Sequence, residues 1–294
     1  MKLFCILILI SNINCSISEK PSSSHKNTST DEVISSDFRN ALSEFNSKHN
    51  LSINKNLGSV YVITNETGLD EVRNVLKSTA LMNNSCHIGT AGWYNFDLIS
   101  LRKSEYGIIF DYNPNNANFL EISMKLVMQA KNPEEFVKLI ISFLKSESNT
   151  IKIDDNKNIN LRIKKELTRE GSWLSSEQNF NFIKQRIKEG KIASFTNTIT
   201  DTFIMEKLKT FLDHKGIVVD TIYLSNIRVF IDPKDKKNFI RSIEILSQPE
   251  TLIINCPALL NLKDKDWRVW NLHQVIKRSE YLKSNPDKYF EISD

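Results

Sequence analysis

Short, nearly unbroken apolar runs alternate with stretches whose apolar positions recur every three to four residues. The runs cover residues 86–90, 106–111, 191–197, 217–224 and 251–255. Continuous apolar runs of this length are the pattern of strands buried on both faces. Between them lie helical patterns. Residues 93–103 carry Phe96, Leu98 and Ile99, and residues 114–130 carry Phe119, Ile122, Leu126 and Val127. A helix from Pro133 carries Phe136, Leu139, Ile140 and Phe143, and further helices are predicted over 201–215 and 233–246. Strand and amphipathic helix in alternation predict an α/β fold, a mostly parallel, doubly wound, Rossmann-like sheet with helices on both faces.

Boundary residues support these assignments. Pro114 and Pro133 stand at helix starts, where a missing N–H is tolerated. Thr67 with Asp70, and Ser175 with Gln178, have capping-box spacing, the second opening a helix with Phe180, Ile183 and Ile187 that closes at Gly190. Before the first strand, 60–63 is β-prone, the helix after Thr67 carries Val72, Val75 and Leu76, and an earlier helix over 37–48 carries Phe38, Leu42 and Phe45. Residues 146–172 are polar, with Ile151 and Ile153 as a short strand, and are expected to form an insertion or lid. The C-terminal tail carries Trp267 and Trp270 and a helix over 272–282.

The N-terminus has a different character. Met1-Lys2 is positively charged, residues 3–10 are uniformly apolar, and residues 11–16 are small and polar. That order is a secretory signal peptide, cleaved near Cys15 or Ser16. Residues 17–36, rich in Ser, Thr, Asn and Lys, form a flexible leader. The expected organisation is therefore a signal at 1–16, the leader, and one α/β domain over 37–294, exported to the periplasm or beyond.

Composition narrows the function classes. Of 294 residues, 40% are hydrophobic and 25% charged, as in ordinary globular proteins. The net charge of +4 is dispersed, which argues against a nucleic-acid footprint. No later run approaches the ~20 apolar residues of a membrane span. Two of the four cysteines, Cys5 and Cys15, lie in the signal. Cys86 and Cys256 sit at opposite edges of the predicted sheet, beyond the ~7 Å reach of a disulfide, so both are expected as free buried thiols. His25, His49, His87, His214 and His273 lack metal-site spacing, and no nucleophile elbow or phosphate loop is present. The tryptophans are expected in the core or lid.

Candidate chemistry lies at the carboxyl ends of the strands, where open parallel sheets bind ligands. The first strand ends in Gly89, Thr90 and Gly92, the second in Asp111, the third in Asn197 and Thr198, the fourth in Ser225 and Asn226. Asp111 follows Gly92 by 19 positions and Gly89 by 22. Glycine lets a ligand approach the backbone, and an acid about 20 residues later suits a ribose diol. The glycines here are only two, spaced Gly-x-x-Gly. The same residues also suit structural roles: a tight strand-to-helix turn, a cap by Asp111 on the helix at Pro114, and a turn at Ser225-Asn226.

Five stretches carry a family resemblance. They are Ile88-Gly89 with an aromatic and Asn shortly after, Phe110-Asp111, Trp173-Leu174-Ser175, Gly190-Lys191-Ile192, and Ile222-Tyr223-Leu224-Ser225-Asn226. In their order they resemble the Rossmann-fold class I S-adenosylmethionine-dependent methyltransferases, and more narrowly an uncharacterised bacterial methyltransferase-like group. The resemblance covers about half the chain. It implies the fold and an S-adenosyl-L-methionine site at Gly89, Gly92 and Asp111, with Thr90, Asn197 and Thr198 beside it. It implies no substrate, small molecule or protein. Relatives commonly place Asp near the adenine where this chain has Thr198. Ser225 and Asn226 are the candidates for orienting an acceptor; no general base is identifiable. Two other readings stay open: a non-catalytic secreted protein on the same scaffold, and a nucleotide-binding oxidoreductase.

Overall fold

The computed structural model describes residues 30–48, 59–64, 66–146, 151–153, 158–256 and 274–283. The expected signal peptide, most of the leader and both tail tryptophans lie outside these residues. The chain runs α1 (Thr30–Lys48), α2 (Leu69–Ser78), β1 (Ser85–Thr90), α3 (Tyr94–Arg102), β2 (Tyr106–Asp111), α4 (Pro114–Gln129), α5 (Pro133–Lys145), α6 (Ile159–Lys165), α7 (Glu177–Lys188), β3 (Ile192–Thr196), α8 (Thr202–His214), β4 (Val218–Ser225), α9 (Lys236–Leu246), β5 (Leu252–Asn255), β6 (Gln274–Lys277) and α10 (Arg278–Lys283).

The six strands form one sheet in the order β3-β2-β1-β4-β5-β6. The first five are parallel, with Gly89 opposite Ile109 and Tyr223, while β6 pairs antiparallel to β5. This is the doubly wound arrangement, and strand order reverses between β1 and β4. Five strands match their predicted runs closely, because a strand covered on both faces is apolar throughout. The tail differs. Residues expected as a helix over 272–282 begin as strand β6, which covers the edge of β5 and gives its backbone groups partners.

One face of the sheet packs Cys86, Ile88, Ile108, Phe110 and Ile222 against Phe38 and Leu42 of α1, Met205 and Leu208 of α8, and Phe239 and Ile243 of α9. The opposite face holds Ile109 under Phe96 and Ile99 of α3, Phe119 and Met124 of α4, and Phe136 of α5. Trp173 is fully buried there, its ring 5.0 Å from Phe96, 5.1 Å from Phe136 and 5.8 Å from Phe180 between centroids. Gly107 lets α3 lie close: a Cβ there would stand 2.6 Å from Ile99 Cδ1.

Helix caps follow the local sequence with two corrections. Asn113, Asn132 and Asp201 accept from backbone N–H groups in the first turns of α4, α5 and α8. The α7 cap is Ser176, one residue after the expected Ser175. Helix α2 starts without a side-chain cap; Gly68, in the left-handed region at φ 77°, makes the turn in place of a capping box at Thr67. The expected helix at residue 37 begins at Thr30, and the expected short strand near Ile153 is one isolated bridge to Val60.

Two buried ion-pair clusters fix the frame. Arg102 Nε donates to Asp220 Oδ2 at 2.7 Å and Nη2 to Oδ1 at 2.9 Å, while Nη1 donates to the Leu76 carbonyl at 2.8 Å. This ties the end of α2 to the amino-terminal rim of the sheet, the two charges held in bidentate geometry. Arg169 links Asp97 of α3 with Glu166, and Trp173 N donates to Asp97 Oδ1 at 2.7 Å. Residues expected as a lid are thereby pinned on α3, and Ile159 and Ile163 of α6 join the core.

Candidate functional site

A cavity of about 340 Å³ opens at the carboxyl ends of β3, β2, β1 and β4. That size lies within the usual range of small-molecule sites. Thr90, Gly92, Asp111, Asn197, Thr198, Ser225 and Asn226 all line it. The switch point between β1 and β4 lies at its centre, so the strand-end rule places these seven together.

Gly89, expected beside them, is not among the lining residues. A Cβ there would lie 1.8 Å from Asn95 Oδ1 and 2.8 Å from His87 Nε2. The space beside Gly89 is filled by a buried hydrogen-bond chain. Asn95 Nδ2 donates to the carbonyls of Thr90 and Gly92, both at 2.8 Å. Asn95 Oδ1 therefore faces His87 Nε2 at 3.0 Å, which makes Nε2 the protonated ring nitrogen. His87 Nδ1 accepts from the Thr221 hydroxyl at 2.7 Å. Burial pulls the His87 pKa down to about 4 and keeps the ring neutral. The chain clamps the β1–α3 turn, at whose apex Ala91 adopts φ 63°.

Gly92 lines the cavity, but its open side is also taken by protein. A Cβ would meet the carbonyl oxygens of Tyr61 and Val62 at 2.4 and 2.5 Å. The segment preceding α2 crosses here as a strap. Trp93 N donates to the Val62 carbonyl at 3.0 Å, Tyr61 N to Asn116 Oδ1 at 3.1 Å, and Val60 N to the Lys152 carbonyl at 2.8 Å. Tyr61, Ile63, Thr64 and Glu66 of the strap form the far wall of the cavity. None of the described residues in 146–172, expected as an insertion or lid, lines it, and the cover comes from the strap.

Asp111 stands half-buried at the end of β2. Its Oδ1 accepts from Asn113 N and its Oδ2 from Asn116 Nδ2, both at 2.8 Å. Burial pushes its carboxyl up to about 6, against the pull of these hydrogen bonds. With the Tyr112 backbone N–H as a third donor, one of the four carboxylate lone pairs stays open. The helix cap is Asn113, which leaves Asp111 to the rim. Asn197 is buried, its Oδ1 accepting from Thr198 N at 2.7 Å, and the Thr198 hydroxyl lies 2.9 Å from that of Thr200.

At the β4 end is a carboxylate missed in the sequence. Glu66, only 7% exposed, accepts from the Tyr223 hydroxyl at 2.6 Å, from the Ser225 hydroxyl, and from Thr64 Oγ1 at 3.3 Å. Burial, then the Glu66 charge, hold the Tyr223 phenol well above its ordinary pKa, so it remains a donor. Ser225 reaches Glu66 from a left-handed backbone at φ 51°, a conformation that non-glycine residues keep only where surroundings impose it. Tyr61, Tyr112 and Phe230, 50%, 47% and 66% exposed, also line the cavity.

Cys86 and Cys256 are free and buried, and burial pushes both thiols up, which suits neither to nucleophilic chemistry. Among the described residues, no group of three His, Cys, Asp or Glu could hold a metal ion, and no helix is long and apolar enough to cross a membrane.

The model of a family described as "Domain of unknown function (DUF7790)" matches residues 61–159 and 143–256. No curated protein matches the chain. A solved structure with some likeness is the glycopeptide N-methyltransferase MtfA in complex with S-adenosyl-L-methionine: 6% identity, TM-score 0.29, over 76% of this chain and 70% of that one. At that TM-score the likeness carries no weight for function.

Proposed function

The chain belongs to the DUF7790 family, and on that premise, which brings no activity with it, we propose that it binds S-adenosyl-L-methionine at the carboxyl rim of its sheet and methylates an acceptor of unknown identity. The observation that carries this reading is the 340 Å³ cavity at the β1–β4 switch point with Asp111 at the end of β2. Asp111 would accept a ribose hydroxyl, and Thr90, Asn197 and Thr198 offer polar atoms beside it. Bound there, the cofactor supplies an electrophilic methyl group. The protein's part is to place and orient the acceptor, with Ser225 and Asn226 at the β4 end.

The lining favours this cofactor over a dinucleotide. No lysine or arginine is among the described lining residues. The carbonyls of Tyr61 and Val62 face Gly92, where a pyrophosphate would need N–H donors. Isothermal titration of the full chain tests the reading. S-adenosyl-L-methionine and S-adenosyl-L-homocysteine should bind and NAD should not; absence of heat with both adenosyl compounds would remove the proposal.

A second reading is a non-catalytic binding protein on the same scaffold. The glycine faces occupied by Asn95 and by the strap favour it. Adenosyl binding would count against it. Export through residues 1–16 is part of both readings. Mass spectrometry of chain recovered from a secreting host should find cleavage near Cys15 or Ser16, and an intact Met1 would end that part.

A further inference from the structure

The cavity is acidic and aromatic at once. Glu66 and Asp111 are its two carboxylates, and Tyr61, Tyr94, Tyr112, Tyr223 and Phe230 contribute rings. The buried Arg228 that follows Asn226 is not part of the lining. The two carboxylates belong to different ends. Asp111 is on β2, while Glu66 is held to Tyr223 and Ser225 of β4. Beside Glu66, the rings of Tyr94 and Tyr223 meet edge to face with centroids 5.2 Å apart.

Such a surface selects by charge and by type of cation. A carboxylate rejects anions and forms its strongest hydrogen bonds with charged N–H donors. An inorganic divalent ion needs several oxygen or nitrogen ligands together, and no three His, Cys, Asp or Glu groups converge among the described residues. Aromatic faces add attraction for an organic ammonium group, which an ion with a tight water shell does not gain.

We infer that the β4 end of the cavity, built by Glu66, Tyr223, Ser225 and the mouth rings Tyr61 and Phe230, is a subsite for a primary or secondary amine in its ammonium form. As the acceptor subsite of the methyl transfer, which needs the nitrogen lone pair and so the prior loss of one ammonium proton to the Glu66 carboxylate, the inference rests on the function proposed above. An ammonium N–H group reaches the Glu66 carboxylate in place of its long contact to Thr64 Oγ1 at 3.3 Å, while the Tyr223 and Ser225 hydroxyls keep theirs. The apolar part of the amine lies against the mouth rings.

The test uses the full chain without cofactor and three isosteric probes at pH 7.5: benzylamine, benzyl alcohol and benzoate, by saturation-transfer NMR and titration. Benzylamine should bind at least about tenfold more tightly than benzyl alcohol, the margin of a charged over a neutral hydrogen bond, and benzoate should not bind. Glu66→Gln, which keeps an acceptor for Tyr223 and Ser225, should erase the preference for the amine. Asp111→Asn should leave it in place while weakening adenosyl binding. Equal binding of benzoate and benzylamine, or a folded Glu66→Gln that keeps the preference, overturns the inference. If Glu66→Gln does not fold, the three probes on the unaltered chain decide. S-adenosyl-L-methionine binding without amine preference would sink this inference and leave the proposed function. Amine preference without adenosyl binding would do the reverse.

Discussion

Replacing Asp111 by asparagine should make the protein more stable and a worse binder. Burial lifts the Asp111 carboxyl from its ordinary 3.8 to about 6. The shift corresponds to roughly 3 kcal/mol at about 1.4 kcal/mol per pKa unit. Because the folded state favours the protonated form, this contribution to stability is complete below about pH 4 and lost as pH rises through 6. At pH 7.5 the ionised group therefore destabilises the fold. Asparagine removes the charge and still accepts from Asn113 N, but it gives up the charged acceptor facing Asn116 Nδ2. Losing a bond to a charged acceptor costs about 1.5–3 kcal/mol, which leaves a net gain of no more than about 1.5 kcal/mol in urea unfolding. Binding moves the other way. A lost charge-assisted acceptor for the ribose costs about 1.5–3 kcal/mol, so S-adenosyl-L-methionine should bind about 10–100-fold more weakly at pH 7.5. The unaltered chain should lose affinity as pH falls below 6, and the variant should not. A variant that is less stable, or binds as tightly as the parent, would refute the assignment of Asp111.

Three other outcomes are expected. Gly89→Ala should lower stability by about 2–4 kcal/mol in urea unfolding, because the new methyl displaces Asn95 from Thr90, Gly92 and His87; Gly107→Ala, which meets only the end of the Ile99 side chain, should lose about 1 kcal/mol. His87, with its pKa lowered to about 4, contributes stability that is complete above about pH 6.5 and falls as pH drops to 4, so unfolding of the parent should show an acid loss on the order of 3 kcal/mol relative to the slope of His87→Gln. Cys86 and Cys256 should escape maleimide in the native state and react in guanidinium, as read by peptide mapping.

The sheet was legible because parallel strands covered on both faces must be apolar throughout, and the runs at 106–111 and 217–224 have few other uses. Helix α6 was not legible: Ile159 and Ile163 are two apolar residues in a polar stretch, and their partners come from distant parts of the chain, α5 among them. Strand β6 overrides a helical pattern because Val275 and Ile276 find the open edge of β5. At the site, polar residues just past each strand were readable from the strand-end rule alone. Glu66 and Tyr61 were not, since they arrive from a segment ahead of the first strand and obey no such rule. Gly89 lies off the cavity lining for a related reason. Sequence shows that a Cβ is absent, not whether a ligand or Asn95 occupies the room.

The strap gives the cavity a birth order. Its residues leave the ribosome before any strand of the sheet, and Trp93 and Asn116 can hold it early, yet Glu66 finds Tyr223 and Ser225 only after β4 has joined β1. A nascent chain therefore has no ligand chamber until its fourth strand is in place. In the finished protein, a ligand resting on this wall should slow amide exchange at Tyr61 and Trp93, whose N–H groups fasten the strap's two sides.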